Sequence, residues 1–248
     1  MLLAAAALSI AAAAAGAWLL AHRDRVEAST VADAVKRYRD LARGGETSIP
    51  AGVYRYRTTG FESVSALGGA RHTYPRQSTV TVTPGACGME LRWDVLQGRH
   101  TTWQVCGPEG GGLVAGDWDD FHTFFSSEDI SRWECSPGPW LPAADAIGTT
   151  TSRLCDNGIT TLAGELQVVG ATTLAVGGAP VDVVHTRFQG EEDGVAKGTL
   201  REERWLERET GLPVRLVYRV TTKNRSPIGD VDFEERYELQ LLSFEAVR

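Results

Sequence analysis

The chain has 248 residues, 42% of them hydrophobic and 23% charged, with a formal net charge of -7. That apolar share excludes an intrinsically disordered chain, which lacks the residues to build a core. The acidic balance, with no run of Lys and Arg, excludes a nucleic-acid partner, whose phosphates require a clustered basic surface.

Residues Leu2 to Leu20 carry no charge, a run long enough for a helix to cross a bilayer, and we read residues 1–21 as a transmembrane anchor. Small residues at Ala13 to Ala17 also suit a signal peptidase. A cleaved signal, which would leave the protein secreted, is therefore the competing reading. Arg23 and Arg25 follow the run, and on the positive-inside rule alone they would leave the rest of the chain in the cytoplasm.

The cysteines argue the other way, and carry more weight. Cys87, Cys106, Cys135 and Cys155 all lie beyond the apolar run, and their even number suits an oxidising compartment. Four cysteines allow three connectivities. Separations of 19 and 20 residues favour the local bridges Cys87 with Cys106 and Cys135 with Cys155. No Cys-x-x-Cys or Cys-x-x-His pair is present to seat zinc. The organisation expected is a single-pass cell-membrane protein: anchor or signal at 1–21, stalk and short helix at 22–48, and an extracytoplasmic β domain at 49–248.

Ser29 or Thr30 can cap a short helix that runs through Ala32, Val35 and Tyr38 to about Ala42, where Gly44 and Gly45 stop it. It reads as an amphipathic segment lying on the domain surface, with a lid or plug as the rival. From Ile49 the period changes to two. Tyr54 and Tyr56 share a face, and Val80 and Val82 alternate with Thr79, Thr81 and Thr83. Over 212–222, Leu212, Val214, Leu216, Tyr218 and Val220 point one way and Arg215 and Arg219 the other. Over 231–241, Val231, Phe233, Tyr237, Leu239 and Leu241 share a face opposite Asp232, Glu234, Arg236, Glu238 and Gln240.

One apolar and one wet face mark antiparallel sheets. Turn signals at Asp156-Asn157-Gly158, Gly177-Gly178, Thr210-Gly211 and Ser226-Pro227 separate about ten or eleven strands. The fold class is mostly β: one broad curved antiparallel sheet or open barrel around an apolar interior, preceded by a short N-terminal helix and the anchor helix.

The elements Pro50-Ala51-Gly52-Val53-Tyr54-Arg55-Tyr56, Arg71-His72-Thr73-Tyr74-Pro75, Cys87-Gly88 with Arg92-Trp93, Trp103-Gln104-Val105-Cys106 and Ser226-Pro227-Ile228-Gly229-Asp230-Val231 resemble membrane-anchored envelope proteins of actinobacteria. That resemblance implies a location and no activity. More loosely, Trp205 followed by Thr210-Gly211-Leu212-Pro213-Val214-Arg215 is similar to a strand-turn-strand of the Lol-type lipoprotein-carrier folds, whose curved sheet holds acyl chains.

The residues that chemistry needs are sparse. His22, His72, His100, His122 and His185 include no pair four apart, and His-Glu-x-x-His, Gly-x-Ser-x-Gly, the P-loop and Gly-x-Gly-x-x-Gly are all absent. No catalytic residue, metal ligand or cofactor is therefore assigned. The polar run Asp117-Trp118-Asp119-Asp120-Phe121-His122 could ligate a divalent cation, but its interleaved aromatics read as a solvated loop or strand edge. Glu202, Glu203, Glu207, Asp232, Glu234, Glu235 and Glu238 read as a solvated outer face, with Arg201, Arg204, Arg215 and Arg219 as cross-strand partners.

Among the tryptophans, Trp93 and Trp103 are expected to meet near the first disulfide. Trp118 and Trp140, in Gly- and Pro-rich surroundings, are the groove candidates, joined by Leu216 and Tyr218 on the apolar face of their strand. The function read from this is a non-enzymatic envelope protein binding a lipid or other apolar ligand on a curved sheet. A surface interaction module without a pocket is the alternative, and an extracytoplasmic hydrolase the remote one.

The pairing has a thermodynamic signature. Cys87→Ser and Cys106→Ser should each destabilise the domain by the same amount, roughly 3 kcal/mol for a loop of this size, and the double variant by no more. Urea unfolding of the three variants checks it, and additive losses would break the pairing.

Overall fold

The computed structural model describes residues 26–41, 47–109, 112–143, 146–226 and 229–248. The anchor read at 1–21 lies outside these residues, and among them no helix is long and apolar enough to cross a membrane.

Helix α1 spans Val31–Leu41. Of the two caps that the sequence offers, Thr30 is used: its Oγ1 accepts from the Asp33 N–H at 3.2 Å, and its own N–H donates to Asp33 Oδ2 at 3.1 Å. This reciprocal box satisfies donors that have no partner inside the helix. Ser29 is engaged elsewhere, its N–H donating to the carbonyl of Val95.

Fourteen strands account for most of the other described residues. The first half comprises β1 (Gly52–Val64), β2 (Ala70–Thr73), β3 (Gln77–Pro84), β4 (Gly88–Leu96), β5 (Arg99–Glu109), β6 (Gly112–Phe124), β7 (Ser127–Cys135) and β8 (Gly138–Leu141). The second comprises β9 (Thr150–Asp156), β10 (Thr160–Val176), β11 (Ala179–Gly194), β12 (Ala196–Glu207), β13 (Pro213–Ser226) and β14 (Gly229–Leu241). Every pairing is antiparallel, in one sheet of order β14-β13-β12-β11-β10-β9-β7-β6-β5-β4-β3-β1-β2, with β8 on β6. β1 also pairs β14, from Tyr56 opposite Leu241 to Val64 opposite Phe233. The pairing thus closes into a ring that only β2 and β8 leave.

Alternation decides what the ring encloses. Tyr54 and Tyr56 point inward and are buried, and the Tyr56 hydroxyl donates to the Pro213 carbonyl at 2.6 Å. From β13 and β14 come Val214, Leu216, Tyr218 and Val220, and Tyr237, Leu239 and Leu241, all buried. Trp93 and Trp103 are buried too, but the ring partners of Trp93 are Tyr74 and Tyr237, and that of Trp103 is Trp140. Helix α1 stays outside. Arg37 donates to Asp94 at 2.6 Å, and Asp94, paired with Thr79, lies on the face opposite Trp93.

Both disulfides join the expected cysteines, Cys87 to Cys106 and Cys135 to Cys155. The second sits at the thinnest point of the ring, where β7 and β9 share only the pairs Glu134 with Asp156 and Cys135 with Cys155. The strand count exceeds the ten or eleven that turn signals mark, because some turns lack the usual glycine code. The β6–β7 hairpin turns on Phe125 and Ser126, at φ of 52° and 62°, a left-handed pair with no glycine. Gly177 and Gly178, which join β10 to β11, follow the rule at φ of 59° and 89°.

The inward and outward faces of β13 should differ sharply in mutational cost. Leu216→Ala is expected to lose about 2 to 5 kcal/mol and Arg219→Ala under about 1 kcal/mol in chemical unfolding. Similar losses at both would overturn the face assignment.

Candidate functional site

Antiparallel closure gives the ring two distinct ends. One carries the turns joining β4 to β5, β6 to β7, β9 to β10, β11 to β12 and β13 to β14, as the registers Arg99 with His122, Thr160 with Gly194 and Ser226 with Gly229 require. A cavity of about 460 Å³ opens among these turns. Its walls include Trp118, Trp133, Phe124, Phe233 and Tyr218, and Ile159 and Val195 stand at its rim. Deeper in the ring, beyond Trp118, Asp120 and Tyr218, only about 30 Å³ is left beside Trp103, Trp140 and Phe188. That is room for one or two waters.

A charged lattice lies between the cavity and the packed interior. Arg99 is fully buried and grips Glu235 with two bonds, Nε to Oε1 at 2.8 Å and Nη2 to Oε2 at 3.0 Å. Its Nη1 lies 3.1 Å from Asp120 Oδ1 and donates to Thr101 Oγ1 at 2.8 Å. The Thr101 hydroxyl passes a bond on to Asp120 at 2.6 Å, and the Tyr74 hydroxyl donates to Glu235.

Beside this, Glu62 accepts from His122 Nδ1 at 2.6 Å and from His72 Nδ1 at 2.9 Å, with Arg99 Nε 3.8 Å away. Aromatic rings hold both imidazoles: Phe124 stacks on His72 at 4.7 Å, and Phe233 meets His122 edge-on at 5.2 Å.

The electrostatics follow from this geometry. Burial pushes the Glu62 carboxyl up, but the bonds from His122 and His72 and the charge of Arg99 prevail and hold it at about 2. Burial and Arg99 press the His122 imidazole down, and the Glu62 contact more than reverses them, leaving it above its ordinary value. Glu192, on the cavity wall, is pushed up to about 7, first by burial and then by the charge of Asp120. The Glu62 and His122 environments favour the charged form of each, whereas that of Glu192 disfavours it.

Trp118 and Tyr218 line both the cavity and the narrow space beneath it. Trp140 lines only the deeper space; its indole donates to the Gly211 carbonyl at 3.0 Å, and the Arg204 guanidinium lies 4.4 Å over its ring. Leu216 is packed in the core.

Three readings of polar residues need correction. The run from Asp117 to His122 is no solvated loop but part of β6, with Asp120 and His122 turned inward and buried. Glu202 and Glu235, read with the outer face, are buried inside the ring. Arg204 is also inside and pairs Glu202 two residues away on its own strand, whereas Arg215 does bridge across strands to Glu238 at 2.8 Å. Among the described residues no group of three or more His, Cys, Asp or Glu is arranged to hold a metal ion.

No protein-family model matches the chain, and no curated protein matches it. Two solved structures are similar. One is the hypothetical lipoprotein YmcC of Escherichia coli, 14% identical, covering 84% of this chain and 96% of that one at a TM-score of 0.31. The other is a candidate lipoprotein of Parabacteroides distasonis, 11% identical, covering 80% of this chain and all of that one at a TM-score of 0.34. Scores of this size do not establish a common fold, so the chemistry of the cavity carries the functional argument.

The Glu192 shift has a defined sign. The folded state keeps a proton that the unfolded carboxyl releases above its ordinary value of 4.5, so stability falls as pH rises from there to about 7 and stays lowered beyond. Glu192→Gln should therefore be more stable than the parent at about pH 8 and equal to it at about pH 4, in urea unfolding at each pH. A difference that does not change with pH would show that Glu192 does not titrate in this range.

Proposed function

We propose that this is a non-enzymatic envelope protein working outside the cytoplasm, and that the cavity at the turn-rich end binds a small ligand with an apolar body, such as a lipid. The two disulfides support the compartment, since such bonds persist where the surroundings are oxidising. The observation that carries the ligand reading is the contrast within one interior. Below the charged lattice only about 30 Å³ is left, yet above it about 460 Å³ stands open and aromatic-walled. Sites for small ligands run from about 300 to 1,000 Å³ and join apolar walls to a few polar groups.

The lattice itself favours binding over catalysis. Arg99, Glu235, Asp120, Tyr74, Glu62, His72 and His122 spend their polar atoms on one another, whereas acid-base work needs a group aimed at the substrate.

Native mass spectrometry of the protein purified from its own membranes should detect a bound small molecule. Ala196→Trp, which puts an indole into the cavity from β12, should lose that mass while keeping the parent's melting temperature within a few degrees. A parent that carries no added mass would sink the ligand reading.

A further inference from the structure

We infer that the mouth of the cavity faces the membrane surface, so that the ligand enters from the bilayer. This deepens the ligand-binding reading by naming the source of the ligand, and it rests as well on the reading of Leu2 to Leu20 as an apolar anchor. Three observations carry it.

The first is where the chain enters the domain. Ala28 bridges to Leu96, the Gln97 N–H donates to the Glu27 carbonyl, and Val26 lies against Gly98. Those partners form the β4–β5 turn, on the same end of the ring as the cavity mouth, because Arg99 pairs His122 and His122 lines the cavity. From Val26 the chain runs away from the mouth towards α1, so the described chain begins at the mouth end of the ring. Only four residues lie between Val26 and the end of the anchor at 21, five Cα-to-Cα steps that span at most about 18 Å when fully extended. A tether that short holds the turn-rich end near the bilayer and leaves the opposite end remote from it.

The second is what the turns display. Leu67, Ile159 and Val195 are exposed at 64%, 65% and 39%, on the β1–β2, β9–β10 and β11–β12 connections of this one end. Single exposed apolar residues are ordinary, but Ile159 and Val195 stand on neighbouring hairpin tips and line the cavity mouth, an apolar edge that water covers poorly, and Leu67 adds a third exposed apolar side chain at the same end. The third is charge. Glu128, Asp129 and Asp230 are exposed in β7 and β14 beside the turns of the same end and disfavour an anionic surface, while Asp193 is paired with Lys197 at 2.5 Å, so the lipid committed to here is neutral.

The test uses the full chain in phosphatidylcholine vesicles, with the photo-crosslinking residue p-benzoylphenylalanine placed singly at Ile159, Val195 or Glu209. Glu209 is exposed on the β12–β13 turn at the far end and serves as the control. Phospholipid adducts are expected at positions 159 and 195 and not at 209, with yields that do not rise when phosphatidylglycerol is added. Adducts at 209 alone, equal adducts at all three positions, or crosslinks only to a second copy of the chain would each overturn the orientation. The ligand reading is separable. If native mass spectrometry finds no ligand, rim adducts still establish the orientation; if the rim gives no adducts, a bound mass still establishes the ligand.

Discussion

The buried charge of Arg99 is the constraint on which the interior depends. A guanidinium with no access to water must find all its partners inside the protein, and here they come from strands far apart in sequence: Glu235 on β14, Asp120 on β6, and Glu62 on β1 close by. Satisfying it ties β1, β5, β6 and β14 across the ring. Removing one member of such a group costs about 3 to 5 kcal/mol, because the charge left behind stays buried and unpaired. The whole lattice need not add net stability against an apolar core of equal volume. What it supplies is position. The aromatic core of Trp93 and Tyr237 lies on one side of the layer, and the cavity opens on the other.

Closure of the ring depends on a second, weaker feature. Ladders such as β10 with β11 run the length of their strands, but β7 meets β9 over two residue pairs. Two ladder pairs are a poor hold on two strands, and the disulfide joins one of those two pairs. In the chain-entropy picture a bridge over a loop of this length restricts the unfolded chain by roughly 3 kcal/mol. The ring is therefore least secure in a reducing compartment, which ties its architecture to the location that the cysteines imply.

Much of this was legible in the sequence, for a physical reason. Where one face is wet and the other apolar, alternation reports the face directly, as in Val214, Leu216, Tyr218 and Val220 or Tyr54 and Tyr56. The lattice escaped the same rule because its members are polar residues at inward positions. Glu235 falls in step with Phe233 and Tyr237, Glu62 with Tyr54 and Tyr56, and Arg99 with Thr101 and Trp103. Parity alone flags each as inward, but a buried charge is credible only once its partner is known, and the partners lie on other strands. The β6–β7 hairpin was illegible for a different cause. Phe125 and Ser126 adopt left-handed backbone angles without the glycine that usually announces them, so the turn is held by its surroundings rather than by local preference.

The polarity of the cavity bears on how it would take a ligand from a bilayer. Asp120, Glu235 and His122 lie at or near its floor, Glu192 is on its wall, and Ile159 and Val195 stand at the rim. An amphipathic molecule matched to that gradient sits with its polar group inward and its apolar body toward the mouth. A lipid leaving the membrane through a mouth laid on the surface presents its head group first, since the head group is already at the interface and the tail is the part that costs most to expose to water. The orientation that the gradient favours is thus the one the molecule already has on entering, and it can pass inward without turning over.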